Sequence, residues 1–168
     1  MSRFHADMDS HPPTNTPHPN PRAQWIGLLS RAPISLLELA LKDQIPSQPI
    51  WLRKPETGLM MVRGRVGGTG EPFNLGEITV TRCAIKIKDS QLKVRVGVAY
   101  VIGRSKTQAL LAGLGDALLQ DEVKAPYWQE KLIKPIHEHL SKLNNHKIQK
   151  TQETKVDFFT LARETGGE

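Results

Sequence analysis

The sequence predicts an α+β fold, an antiparallel meander of strands packed with helices behind a disordered N-terminal tail. Three observations carry that expectation. Residues 59–65, 77–88 and 92–102 alternate side chains at the two-residue period of a strand. A glycine-rich loop and an Asp-Ser turn separate them, so consecutive strands run antiparallel. The segments before and after recur at three and four residues, the period of helices.

The first 22 residues, MSRFHADMDSHPPTNTPHPNPR, hold five prolines and almost no large apolar side chains, too few to offset the entropy of ordering. Residues 1–22 are therefore read as a disordered tail. Its histidines, His5, His11 and His18, are irregularly spaced and do not form a metal motif. One domain spans 23–161, and 162–168 form a flexible C-terminal end. From Ala23 a helix is expected, with Trp25, Leu28 and Leu29 on one face. After a break at Ala32-Pro33 a second helix opens on Ser35-x-x-Glu38, the spacing of a capping box. Pro46 and Pro49 end helical structure, and residues 50–53 form a short extended piece before a turn at Pro55.

The first strand ends in Arg63 and Arg65. The second places Thr79, Thr81, Cys83, Ile85 and Ile87 opposite Ile78, Val80, Arg82, Ala84 and Lys86. After the Asp89-Ser90 turn, the third aligns Leu92, Val94, Val96, Val98, Tyr100 and Ile102 on one face, with Lys93 and Arg95 on the other. Gly103 ends the sheet. Ser105 caps a helix whose Ala109, Leu110, Gly113, Leu114, Ala117 and Leu118 form a stripe small enough to approach the sheet closely. Pro126 suits the first turn of a longer helix carrying Leu132, Ile136, Leu140 and Leu143, which Pro135 should kink or interrupt. The apolar stripe fades beyond Leu143. An apolar patch, Val156-Asp157-Phe158-Phe159-Thr160-Leu161, follows a polar stretch, and burial of each Phe is worth about 1.5–3 kcal/mol. Asp157, Phe158 and Phe159 are the candidate interface.

Composition narrows the function classes. The 168 residues are 38% apolar, enough for one core, and carry 23 basic against 17 acidic side chains, net +6. Aromatics make up 5% and do not interleave with the basic residues, which argues against a nucleic-acid-binding platform. The single cysteine, Cys83, excludes a disulfide framework and points to a reducing cytoplasm. No apolar run reaches the roughly 20 residues that span a bilayer, so no membrane partner is expected.

The loop between the first two strands draws most attention. Gly67, Gly68, Thr69, Gly70 and Glu71, flanked by Arg63, Arg65, Arg82 and Arg104, are candidates for contact with an anion or a protein partner. The context argues against a Walker-type ATP loop, because no GK[ST] follows the glycines and no helix begins there. A backbone nest needs no helix and remains open beside the plainer reading of a connection lying against another surface. Among nearby carboxylates, Glu56, Glu71 and Glu77 offer a second, self-sufficient enzymatic reading through acid/base chemistry. His137 and His139 lie two residues apart on a helix and point to different sides. Cys83, on a strand, reads as a buried structural thiol. No residue is assigned a catalytic role and no metal ligand is assigned.

The ordered set ETGLMMVRGRVGGTGEPFNLGEITVTRC, GVAYVIGRSK and VDFFTLAR resembles the PhnG subunit family of the bacterial carbon-phosphorus lyase pathway, over nearly the whole chain after the tail. Ser105-Lys106 stands where the family commonly has Asp-Lys or Asp-Arg, a change that keeps a helix-capping side chain. The resemblance implies an accessory subunit of a hetero-oligomeric assembly with PhnI-, PhnH- and PhnJ-type subunits, aided by a PhnL-type protein. That assembly converts MgATP and methylphosphonate to α-D-ribose 1-methylphosphonate 5-triphosphate and adenine. It further implies that this chain binds no cofactor of its own and that the chemistry lies on other subunits.

Overall fold

The computed structural model describes residues 20–89 and 91–153, which hold two short helices, a three-stranded sheet and a helical C-terminal half. The expected tail lies largely outside the described residues, as do Ser90 and the patch containing Asp157, Phe158 and Phe159. Residues 20–22 belong to the fold, which corrects the expected boundary at Ala23. Helix α1 spans Pro21–Arg31, because Asn20 caps it through the Arg22 amide and Pro21 suits the first turn. Helix α2, Ile34–Leu41, starts from Pro33 with no side-chain cap, so Ser35 and Glu38 do not form the capping box that their spacing suggests. Pro33 already fixes the extended entry that such a cap would enforce.

Strand β1 covers Ile50–Arg65 and β2 covers Pro72–Lys88, both longer than the sequence pattern indicates. Pro55 does not turn the chain. The sheet order is β1-β2-β3, so β1 is an edge strand, where a missing N–H is tolerated, and register shifts between Trp51 and Arg53 and between Arg53 and Glu56 absorb the irregularity. Strand β3, Val94–Ile102, pairs only with residues 80–88 of β2, and the Gly103 amide closes the sheet on the Thr79 carbonyl at 2.9 Å. Residues 72–79 of β2 therefore run on with β1 as a two-stranded arm about 25 Å long.

Helix α3, Lys106–Leu119, lies across the inner face of the sheet, capped by Ser105 through the Gln108 amide at 3.2 Å. The approach is closest at Gly97, where an added Cβ would sit 1.8 Å from the Gly113 carbonyl oxygen and 2.8 Å from the Ala117 methyl. Only small residues fit there, so the inner face of β3 is Gly97, Ala99 and Val101, all buried. Its row Val94, Val96, Val98, Tyr100 and Ile102 faces solvent, the reverse of what apolar alternation alone would assign to a core. Leu92 is not in the strand; it takes φ 62° in the preceding turn. The core joins Leu29, Leu37, Leu41, Cys83, Leu111 and Ile136 from five elements. Helix α4, Ala125–Trp128, continues through a π-turn, Gln129–Ile133, into α5, Lys134–Glu153. The π-turn lies just before Pro135, whose ring and missing N–H break the regular α pattern. From Lys142 to Gln152 the helix is exposed on all sides.

Candidate functional site

The glycine loop sits at the tip of the arm. Gly67 at φ 59° and Gly68 at φ 81° make the reversal, a left-handed conformation that side chains resist. Gly70 is required for space, since a Cβ there would lie 2.8 Å from the Val66 carbonyl oxygen. The Thr69 and Gly70 amides both turn inward to that carbonyl, and the Arg65 guanidinium donates to the Gly70 carbonyl at 3.0 Å. The glycine density is thus accounted for by the turn itself, with two loop amides directed away from any external anion.

The candidate side chains divide into two groups. Arg63, opposite Asn74, and Arg65, opposite Pro72, stay with Gly67, Gly68, Thr69, Gly70 and Glu71 at the tip. Arg82 lies ten residues up β2 from Pro72, about 33 Å away in an extended strand. Arg104 follows Gly103, whose amide bonds to the Thr79 carbonyl, so it lies at the base of the arm, about 23 Å from Pro72. Arg82 donates to Glu56 at 2.8 Å, and Arg53 donates to the same carboxylate oxygen. Hydrogen bonding from Arg53, then from Arg82, holds the Glu56 carboxyl below its ordinary range. With Glu56 engaged there, and Glu71 and Glu77 about 20 Å apart along β2, the three carboxylates do not meet as an acid/base pair.

Cys83 is 2% exposed, and burial pushes its thiol up to about 11, which suits a core residue rather than a nucleophile. His137 is exposed on α5 and His139 half-buried. Among the described residues no group of three or more His, Cys, Asp or Glu side chains is placed to hold a metal ion. An open cleft of about 390 Å³ between the 44–50 segment, β2 and α3 is lined by Ile50, Ile87, Leu114, Leu118 and Lys124. No helix among the described residues is long and apolar enough to cross a membrane.

Two features escaped sequence reasoning. Asp116, in the small-residue stripe of α3, is fully buried; it accepts from Arg22 Nε and Nη2, the Trp25 indole at 2.8 Å and the Val98 amide at 2.9 Å. An acid amid AGLGDALL was its only signal. Arg22 and Gln120 also donate to the Val96 carbonyl, at 3.0 and 2.9 Å, so side chains occupy the outer edge of β3. The second feature is apolar exposure on the arm: Leu59, Met60, Met61, Val66, Phe73 and Leu75 are each at least 42% exposed. A two-stranded ribbon with apolar side chains on both faces is marginal alone in water, and such exposure marks a surface for association.

Comparison with known proteins agrees with that picture. A family model described as phosphonate metabolism protein PhnG matches residues 20–164. The chain is 39% identical over 144 residues to the alpha-D-ribose 1-methylphosphonate 5-triphosphate synthase subunit PhnG of Rhizobium meliloti (strain 1021), covering 84% of this chain and 88% of that relative.

Proposed function

Because the chain belongs to the PhnG family of phosphonate metabolism proteins, we propose that it is an accessory subunit of a ribose 1-methylphosphonate 5-triphosphate synthase. In this reading it supports the formation of α-D-ribose 1-methylphosphonate 5-triphosphate and adenine from MgATP and methylphosphonate. The single observation that carries the proposal is the near full-length identity to a relative named as a subunit of that synthase. Its partners are then PhnI-, PhnH- and PhnJ-type subunits with a PhnL-type protein, and the compartment is the cytoplasm.

Within the assembly this chain acts without a reacting group of its own and binds no cofactor. Support comes from the separation of Glu56, Glu71 and Glu77 along the sheet and from the inert character of Cys83. Its contribution is shape and positive charge: an apolar arm ending in Arg63 and Arg65, and a basic sheet, beside a site that handles polyanions.

Co-expression with the other synthase subunits followed by size-exclusion chromatography tests the assignment, and one co-eluting species is expected. Separate elution under all salt conditions would overturn it. Turnover of MgATP and methylphosphonate by this chain alone would overturn the accessory role and favour a self-sufficient enzyme.

A further inference from the structure

The outward face of the sheet carries a surface that no helix among the described residues covers. The helices pack on the inner face, where close contact at Gly97 and Ala99 leaves no room for larger side chains. The β-branched and aromatic residues of β3 stand on the other side, with Val94 at 55%, Tyr100 at 52% and Ile102 at 74% exposure. A solvated strand face normally alternates to polar residues, so an all-apolar row, half-buried at Val96 and Val98 and exposed at Val94, Tyr100 and Ile102, calls for a cover.

The charges of that face say what the cover is. The register places Arg53, Arg82, Lys86 and Lys88 on it, against one carboxylate, Glu56. A second copy of this chain, packed face to face about a two-fold axis, would bring like charges together on a protein already at +6. A surface that pairs an apolar centre with a carboxylate rim meets both features at once.

We propose that the outward sheet face, centred on Val96, Val98 and Tyr100 and bordered by Lys86 and Lys88, docks an apolar, acid-rimmed patch of another subunit of the synthase. The inference rests on the subunit assignment above and adds to it the surface and the chemistry of the partner.

Cysteine reactivity provides the test, because the native thiol is buried and protonated at working pH. In Tyr100→Cys, and independently in Val94→Cys, maleimide labelling should run at the rate of a free thiol in the isolated chain. In the assembled complex it should slow at least tenfold. Lys86→Glu with Lys88→Glu should weaken co-elution at least tenfold, while the thermal transition of the isolated chain stays in place. Fast labelling of both cysteines inside a wild-type-like assembly would overturn the docking face and leave the subunit assignment standing. Failure of the wild-type chain to co-elute would remove the assignment itself. Protection in the isolated chain would also overturn the proposal: accompanied by dimeric elution it would identify a second copy as the cover, and in a monomer it would identify residues 1–19 or 154–168 of the chain.

Discussion

Asp116 of α3 holds Arg22 of α1 through both carboxylate oxygens, Oδ2 at 2.8 Å from Nη2 and Oδ1 at 3.1 Å from Nε. The same carboxylate takes the Val98 amide at the sheet edge, so one buried acid ties the first helix, the third strand and the central helix together. Asp116→Ala leaves the Val98 N–H and the Trp25 indole without their acceptor and should cost about 3 kcal/mol in urea unfolding. Arg22→Ala should cost less, about 1–2 kcal/mol, because the guanidinium is 39% exposed and water screens it. The Asp116 hydrogen bond raises the Arg22 pKa above its ordinary value, so this contribution is complete throughout the working range and gives no pH dependence there. An unchanged urea midpoint in Asp116→Ala would refute this role.

Gly97→Ala tests the closest packing in the molecule. The new methyl has no space beneath the Gly113 carbonyl, and α3 must lift from the sheet. A loss of about 3 kcal/mol or more is expected from denaturant midpoints. Gly58→Ala, with nothing within 4 Å of the added methyl, serves as the control and should shift stability by about 0.5 kcal/mol at most.

The acid limb of the stability curve should report Asp89. Burial works against its charge. The Arg95 hydrogen bond at 2.9 Å and the Lys93 and Gln91 amides outweigh that and hold the carboxyl below its ordinary 3.8. A depressed carboxyl stabilises the fold above its unfolded value, and that stability is lost as pH falls through the folded value. Thermal melts from pH 6 to pH 2.5 should therefore show a shallower acid decline in Asp89→Asn than in the wild type, from a lower starting Tm. Parallel curves for the two proteins would exclude this linkage.

Cys83 gives the complementary alkaline signal. Its thiol titrates near 11 in the fold against 9.0 when exposed, so its contribution is complete below pH 9 and declines as pH rises towards 11. At pH 8 the native protein should resist thiol reagents and become reactive only on unfolding. Rapid labelling of the folded chain would contradict its burial.

At the arm tip, Gly68→Val and Gly70→Val should disturb the reversal by about 1–3 kcal/mol of local strain. Because the arm extends beyond the third strand, the effect should appear in co-elution and in activity of the reconstituted complex. Arg65→Ala should act chiefly through charge, together with the loss of its bond to Gly70. Full activity of all three variants would reduce the loop to a plain connection.

Much of the fold was legible because strand and helix periods are written in the chain: three strands in order, Ser105 as a cap, the interruption at Pro135 and the buried Cys83 all follow from local rules. What was not legible depends on the third dimension. Pro55 reads as a turn until β1 is known to be an edge strand. The apolar row of β3 reads as core until Gly97 is seen to admit α3 on the opposite face. The flanking arginines look like one cluster around the glycines, yet an extended strand separates Arg82 from Arg65 by most of its length. Asp116 was hidden because a buried acid is recognised only through the donors that reach it.

The two borders of the sheet are unequal. Asp116, Arg22 and Gln120 occupy the hydrogen-bonding groups of Val96 and Val98 on β3, whereas β1 has no strand beyond it among the described residues. A strand added at the middle of the β3 border would have to displace those three side chains, whereas one added at β1 meets no such barrier among the described residues, so strand addition is directed to β1.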